Sequence, residues 1–304
     1  MANLYRLLGR IVERGVPPPE LDHAFYRLVH DDLASMDDTT LTKHFKAYGR
    51  NEGRIASPAA HRDGLVALVP RDSALLEIGP FTKPVFRGEG AFYFDVLERD
   101  ALVERARAHG QPTEGCPEID YVSPTGDLSV VDRQFASVFS SHCIEHQPDL
   151  VAHLQAVEQI LNAGGRYFMM IPDKRYCFDH FLPESTLADV MLAHSERRRV
   201  HTYQNVHEHA ALTTHNEAPR HWAGDHTDPR AHLVEERAVK AQADFRAAEG
   251  GYLDVHAWKF TPASFRSILQ GLAANGLTSL VPERVYDTIH NNFEFSAILK
   301  NDRK

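Results

Sequence analysis

The sequence predicts an α/β fold with a mostly parallel sheet whose last strand is antiparallel, an N-terminal helical extension and a large inserted lid. Three observations support this. Apolar runs bounded by turn residues alternate with helical stretches over residues 61–172, as right-handed βαβ units require. Polar residues such as Asp95 and Ser141 follow these runs directly. Near the C-terminus, two strand-like runs are joined around His290-Asn291-Asn292, a hairpin turn.

Composition limits the classes of protein to consider. The 304 residues are 43% hydrophobic and 25% charged, enough for one substantial core with an appendage. A net charge of −9 argues against a nucleic-acid partner. There is no apolar run of ~18 residues, so we expect no transmembrane segment. Cys116, Cys143 and Cys177 have neither zinc-ligand nor disulfide spacing, which favours a reducing, cytoplasmic location.

The pattern of predicted helices and strands divides the chain into three parts. Residues 1–60 are predicted to form a helical extension, in which apolar residues from Leu4 to Val12 recur at helical spacing. Residues 61–172 and 257–304 are predicted to form the sheet domain. Residues 173–256 hold ten of the nineteen histidines and few strand patterns, so we expect a polar lid. Within the extension, HFKAYGRNEGR resembles a short module of bacterial glycan-assembly proteins.

The sheet elements can be assigned in order. GLVALV and ALLEIG are apolar and bounded by turn residues, as strands are, and FYFDV, EIDYV, FASVFSSH and RYFMMIP follow. Amphipathic stretches at 99–110 and 149–162 separate these runs, the second ending at Asn162-Ala163-Gly164-Gly165. Thr261 and Pro262 begin a further helix, and LTSLVPERVY and FEFSAILK complete the sheet.

Strand ends locate the predicted ligand site. The first strand ends in a tight turn at Gly79, Asp95 closes the next apolar run, and a later strand delivers Ser141 and His142. Ligands of open parallel sheets bind at the carboxyl ends of strands. A carboxylate there suits a ribose, so a nucleoside cofactor is expected beside a histidine-rich reaction site. The G-x-G-x-x-G pattern of NAD-binding domains is absent.

These segments resemble class I methyltransferases that use S-adenosylmethionine (SAM). LLEIGPF, FYFDV, TGDLSVVDRQFASVFSSHCIEHQPD and LNAGGRYFMMIPD look like the successive motifs of that family, over roughly residues 70–175. The resemblance implies a Rossmann-like, seven-stranded sheet, SAM as cofactor and methyl transfer as the reaction. IPDKRYCFDHF and DVHAWKFTPASF further resemble methyltransferases associated with surface polysaccharides, which implies a sugar acceptor.

The resemblance also implies cofactor contacts for the first two strands. Glu77 and Gly79 match the first motif, where glycine lets the backbone approach the methionine portion. Two further glycines of the family pattern are replaced here, and Phe81 is expected to wall the pocket. Asp95 matches the acid that accepts both ribose hydroxyls. Its structural alternative is a strand-end cap.

Four more contacts follow from the later motifs. Asp127 matches the residue that accepts the adenine amino group, with the Leu128 amide nearby. An Asx turn after Gly126 is the alternative for Asp127. Ser141 and His142 are expected beneath the methionine tail, largely through backbone groups.

Methyl transfer to a hydroxyl needs a proton acceptor, and histidine suits this role near neutral pH. His146, just past the fourth strand, and His256 are the candidate bases; each could instead simply pack. Asp173 and Arg175 follow the fifth strand, and Arg175 could hold an anionic group of the acceptor. An ion pair between these two is the alternative.

The lid shows two further patterns. A metal site is not predicted, because six candidate ligands lack a recognised ligand spacing: His207, His209, His215, His221, Asp225 and His226. A divalent ion nevertheless stays open as an additional cofactor. The run from Glu196 to Arg199 is typical of an exposed helix face, with docking of an anionic glycan as the alternative.

The leading functional hypothesis is SAM-dependent O-methylation of a sugar hydroxyl on a bacterial glycan or its precursor. Methylation of a small natural product or an amine is the nearest alternative, and an amine would need less base catalysis. A non-catalytic scaffold of a glycan-assembly complex is the alternative from another class. The expected partners are a carbohydrate or small-molecule acceptor, and a homo-oligomer or glycan-assembly complex.

Overall fold

The structure, a computed structural model, describes residues 13–303. The predicted helix from Leu4 to Val12 therefore lies outside the described residues. Within them, seven strands form one sheet: β1 (Leu75–Ile78), β2 (Ala91–Asp95), β3 (Tyr121–Val122), β4 (Phe135–Ser141), β5 (Leu161–Pro172), β6 (Leu280–Val285) and β7 (Glu294–Asn301).

The strand order is β3-β2-β1-β4-β5-β7-β6. Strands β1 to β5 pair in parallel, whereas β7 runs antiparallel to both β5 and β6. The predicted mostly parallel, seven-stranded sheet with an antiparallel last strand is confirmed. Because the chain reverses its winding direction between β1 and β4, the carboxyl ends of these strands border a crevice.

Ten α-helices surround the sheet in the described part of the chain: α1 (His23–Val29), α2 (Asp38–His44), α3 (Arg62–Leu68), α4 (Arg99–Ala108), α5 (Leu150–Ile160), α6 (Leu187–Ser195), α7 (Tyr203–Ala211), α8 (Ala218–Trp222), α9 (Val234–Ala247) and α10 (Pro262–Ala274). As predicted, Thr261 caps α10 and Pro262 occupies its first turn. Helices α6 to α9 lie within the segment predicted to be a lid. None of the helices in residues 13–303 has the length and apolar character needed to span a bilayer.

One predicted strand is wrong. GLVALV lies mostly in α3, where the His61 ring accepts a hydrogen bond from the Asp63 amide and Leu65 and Leu68 are buried on one side. A short apolar run has no clear period, so a buried helix and a buried strand look alike in sequence. A second boundary also shifts. Residues 162–165 are assigned to the start of β5, with Gly164 at a φ of 74°.

The core covers both faces of the sheet. Alternation along β4 directs Val138 and Phe139 into two different apolar clusters. The first cluster includes Phe265 of α10, and the second includes Leu65 of α3. Because both faces of the parallel sheet are covered, its backbone hydrogen bonds are shielded from water, and the ends of the strands remain accessible to a ligand.

The HFKAYGRNEGR module has a structural explanation. A Cβ on Gly49 would lie 2.2 Å from the Tyr26 hydroxyl oxygen, and one on Gly53 would lie 2.5 Å from the His290 backbone nitrogen. The His290 amide also donates to the Gly53 carbonyl at 2.7 Å. Arg54 forms an ion pair with Asp32. These contacts close the extension on itself and hold it against the β6–β7 connection.

Candidate active site

A cavity of about 910 Å³ opens at the carboxyl ends of β1, β2 and β4. Its floor comes from these strand ends, and segments from the inserted region form the opposite wall. Volumes of this size are typical of ligand pockets. Seven of the predicted catalytic and cofactor-binding residues line it: Gly79, Phe81, Asp95, Leu128, His142, His146 and His256.

The turn after β1 requires glycine. Gly79 has a φ of 70°, and a Cβ there would lie 2.5 Å from the Cys143 sulfur. The Cys143 thiol is held in place because it donates to the Ile78 carbonyl at 3.3 Å. Phe81 also has a positive φ, 48°, and lines the cavity. The backbone is thus brought close to the space that a ligand would occupy.

Asp95 presents a carboxylate at the end of β2. The residue is only 7% exposed, and its Oδ1 accepts the Val96 amide at 2.7 Å. Burial raises the pKa of this carboxyl, although the Val96 and Leu97 amides oppose the shift. Asp95 therefore caps the strand end, as one prediction holds, and lines the cavity as well. The two predictions are compatible.

A histidine cluster surrounds the fully buried side chain of Glu145. Its Oε1 lies 3.7 Å from Nε2 of His146 and 3.9 Å from Nε2 of His256. The Nδ1 atom of His256 donates to Asp179 Oδ2 at 2.6 Å, and that of His146 donates to the Val255 carbonyl at 3.1 Å. These partners fix the ring tautomers, so both Nε2 atoms carry lone pairs when the rings are neutral.

Burial and neighbouring charges shift the pKa values of the His146 and His256 imidazoles in opposite directions. Burial lowers the pKa of His146, and the adjacent His256 lowers it further. Burial also acts to lower the pKa of His256, but the Asp179 carboxylate outweighs it and the pKa is raised. Burial raises the pKa of Glu145. Opposite shifts in neighbouring groups are a recurrent property of reaction sites.

His142 joins this cluster to the distant strand β7. Its φ is 55°, a strained backbone conformation for a residue with a side chain. The ring lies between Glu145 Oε1, 3.6 Å from Nδ1, and Glu294 Oε2, to which Nε2 donates at 2.8 Å. Burial would raise the pKa of Glu294, but hydrogen bonds from His142 and Arg62 hold it at about 2.

Three predicted cofactor contacts lie away from the cavity lining. The Glu77 carboxylate accepts the amides of Val85 and Phe86, and burial raises its pKa to about 7. Glu77 therefore supports the loop after β1 from behind. Asp127 accepts the Ser129 amide at 2.9 Å in the Asx turn foreseen as its alternative. Ser141 accepts a hydrogen bond from Arg62.

The structure does not bring Asp173 and Arg175 to the cavity either. Asp173 is fully buried and accepts two hydrogen bonds from the Arg175 guanidinium and one from the Thr288 hydroxyl. This is the ion pair that the sequence analysis held as the alternative. Its position ties the end of β5 to the β6–β7 connection.

Several lining residues were missed in the sequence. Arg199, which the sequence analysis considered only as part of the Glu196–Arg199 run, lines the cavity; α6 ends at Ser195, so this largely exposed run is not helical. His201 also lines it, and neither of its ring nitrogens has a partner within residues 13–303. Tyr252 is about half exposed and completes the wall. The only indication of these residues in the sequence was the His- and Arg-rich insertion, which was predicted to lie beside the site at the strand ends.

Comparison with solved structures finds similarity to several methyltransferases at low sequence identity. A SAM-dependent methyltransferase from Mesorhizobium loti matches with 22% identity and a TM-score of 0.28, over 38% of this chain and 54% of its own. A SAM-dependent methyltransferase from Methanosarcina mazei matches with 14% identity and a TM-score of 0.38, over 78% and 95%. A glycopeptide N-methyltransferase complexed with sinefungin matches with 18% identity and a TM-score of 0.26, over 34% and 49%.

The chain thus spans about half the length of the first and third of these proteins. No family model matches the chain, and neither does any curated protein. The strand order places β7, antiparallel, between β5 and β6.

Proposed function

We propose that this protein is a SAM-dependent methyltransferase that O-methylates a sugar hydroxyl of a bacterial glycan or glycan precursor in the cytoplasm. One observation carries the proposal: the buried Asp95 carboxylate and the histidine cluster around Glu145 line the same cavity. This arrangement supports a nucleoside site next to a group that is able to take a proton. The sugar acceptor rests on the sequence resemblance.

The residues of the cavity fit the cofactor that the fold implies. Gly79 would border its methionine portion, Asp95 would accept hydrogen bonds from its ribose hydroxyls, and Leu128 would provide an apolar surface for the adenine. When bound, SAM supplies an electrophilic methyl group on a positively charged sulfur. Asp95 contributes charge-assisted hydrogen bonds, which are stronger than neutral ones.

The wall from the inserted region suits a polyhydroxylated acceptor. Tyr252 and Phe178 offer aromatic rings, while Arg199 and His201 offer polar groups. Sugars combine apolar ring faces with hydroxyl edges, so this mixture can bind both. Asp254 holds the wall in place, because it pairs with Arg105 of α4 and with His146.

The chain's own contribution to chemistry is alignment and proton removal. A lone pair of the acceptor oxygen forms the new bond to the methyl carbon, the carbon–sulfur bond breaks with its electrons retained by sulfur, and the hydroxyl proton must leave. The Nε2 atom of His256, oriented by Asp179, is placed to accept it, with His146 as its neighbour. A positioned base contributes roughly 10²- to 10⁴-fold, and alignment on the order of 7 kcal/mol or more.

The test is a transfer assay with methyl-labelled SAM and glycans extracted from bacterial cells. We expect label in the carbohydrate fraction with the wild-type protein and none with Asp95→Ala, which should also lose SAM binding by calorimetry. Wild-type protein that binds no SAM would refute the proposal and favour a scaffold. Label in amines but not in carbohydrate would refute the sugar acceptor alone.

A further inference from the structure

The carboxylate of Glu145 has no hydrogen-bond partner. The side chain is fully buried, and within residues 13–303 no donor lies within hydrogen-bond distance of either oxygen. A buried, unpaired carboxylate is costly, and almost all such groups have partners in native proteins. We therefore expect a further group of opposite charge to pair with this carboxylate.

The ring nitrogens nearest to Glu145 are not hydrogen-bonded to it, and the first of them, Nδ1 of His142, lies 3.6 Å from Oε1. Nε2 of His146 and Nε2 of His256 lie 3.7 and 3.9 Å from Oε1, beyond the range of a hydrogen bond. Since both Nδ1 atoms already donate elsewhere, the neutral rings direct lone pairs toward a carboxylate oxygen. Three electron-rich atoms that face one another favour a cation between them.

The separations fit a metal ion. Nitrogen and oxygen ligands about 2.1 Å from a tetrahedral Zn²⁺ lie roughly 3.4 Å apart, a few tenths of an ångström less than the two distances to Glu145. The His146 and His256 rings are nearly perpendicular, at 87°. Their planes therefore intersect, and one ion can lie in both. All three ligand atoms lie within 4.8 Å of one another.

A second histidine group provides a contrast. His180, His221 and His226 also place ring nitrogens within 4.8 Å of one another. The rings of His180 and His226, however, are stacked 3.7 Å apart with only 12° between their planes. Nearly parallel rings cannot both direct an in-plane lone pair at one ion. This group therefore serves as a natural control.

We propose that Glu145, His146 and His256 bind a first-row transition dication of the Zn²⁺ type. Two imidazoles and one carboxylate favour such ions over Mg²⁺ or Ca²⁺. Asp179 and the Val255 carbonyl act on the far side of each ring, as outer partners of metal-bound histidines do. Three protein ligands leave a position open to the cavity, which is the pattern of catalytic sites.

This inference rests on the proposed hydroxyl methylation and changes how the proton is handled. A hydroxyl that coordinates the ion has a lowered pKa. Its proton passes to water, its oxygen bonds to the methyl carbon as the carbon–sulfur bond of SAM breaks, and sulfur keeps the electrons of that bond. His146 and His256 then act as ligands, and the direct base of the preceding section is replaced.

The first experiment measures binding of the metal alone to full-length, chelator-treated protein. We expect one Zn²⁺ per chain by calorimetry, a rise in melting temperature, a ligand-field absorption band with Co²⁺, and no comparable response to Mg²⁺. Glu145→Gln, which keeps the shape and removes the charge, and His256→Ala should weaken Zn²⁺ binding at least 100-fold. His226→Ala should bind like the wild type.

The opposite results are equally clear. Absence of Zn²⁺ binding by the wild type, or wild-type affinity in Glu145→Gln, overturns the inference. Because Gln removes a buried charge, the metal-free variant should melt no lower than the metal-free wild type, which checks its folding. If metal-free protein transfers methyl groups at full rate, the catalytic role of the metal is refuted, whereas the proposed methyltransferase function is supported. If Zn²⁺ binds but SAM does not, the metal site is supported and the proposed SAM-dependent function is refuted.

Discussion

Replacing Gly79 by alanine should damage both stability and the cofactor site. Two costs add. An alanine at a φ of 70° costs ~1–2 kcal/mol in the left-handed region. Its Cβ, 2.5 Å from the Cys143 sulfur, adds an overpacking cost of ~1–3 kcal/mol. We expect the free energy of unfolding to fall by ~2–5 kcal/mol in urea denaturation, and SAM affinity to fall at least tenfold by calorimetry, since the loop must move.

Two controls separate these costs. Gly88→Ala introduces the same backbone strain, at a φ of 96°, with no atom within 4 Å of its Cβ, so it should show only the smaller loss. Cys143→Ala removes the crowding sulfur, and the double variant Gly79→Ala/Cys143→Ala should show a favourable coupling of ~1–3 kcal/mol. Equal losses in Gly79→Ala and Gly88→Ala, or a coupling near zero, would refute the steric argument.

Other predictions concern Asp95, Asp179 and Glu77. Asp95→Asn should weaken SAM binding at least tenfold by calorimetry while leaving the melting temperature unchanged or higher, because a buried charge is removed; unaltered affinity would remove the ribose assignment. Asp179→Asn should lower turnover at least tenfold without changing SAM affinity, because His256 loses its orienting partner; equal kcat values would contradict this role. Glu77 has a pKa raised from 4.5 to about 7, so the folded state takes up a proton between these values and its stabilising contribution, present below pH 4.5, is lost as pH rises through 7. Glu77→Gln should remove this dependence, amounting to roughly 3 kcal/mol between pH 4.5 and 8; parallel stability–pH curves for the two proteins would show that Glu77 does not titrate there.

The sequence predicted the sheet well because its signals are local. Apolar runs, a glycine turn and an acid at the end of β2 each arise within a few residues, and the resemblance supplied their order. GLVALV was misassigned because six apolar residues satisfy both a helix and a strand. The boundary at residues 162–165 shifted because a glycine that ends a helix can equally begin a strand.

The site was harder to predict because it is assembled from distant segments. Asp179 and Glu145 meet His256 only after the inserted region folds back, and no spacing in the sequence encodes that approach. Glu145 directly precedes His146 in the sequence, which gives no sign of how deeply its side chain is buried. Its burial among three histidines became visible in the structure. For Arg175 the sequence suggested a binding role, because the residue follows the end of a strand. In the structure its guanidinium instead donates to the neighbouring Asp173 carboxylate.

The position of β7 has a consequence for how the protein is made. This strand is synthesised after β6 but lies between β5 and β6, so β6 has no neighbour in the sheet until β7 arrives. Glu294, at the start of β7, also holds His142 and Arg62. During translation the growing chain would therefore expose an unpaired edge of β5, a state prone to aggregation. The pocket gains its full set of contacts only in the last step of assembly.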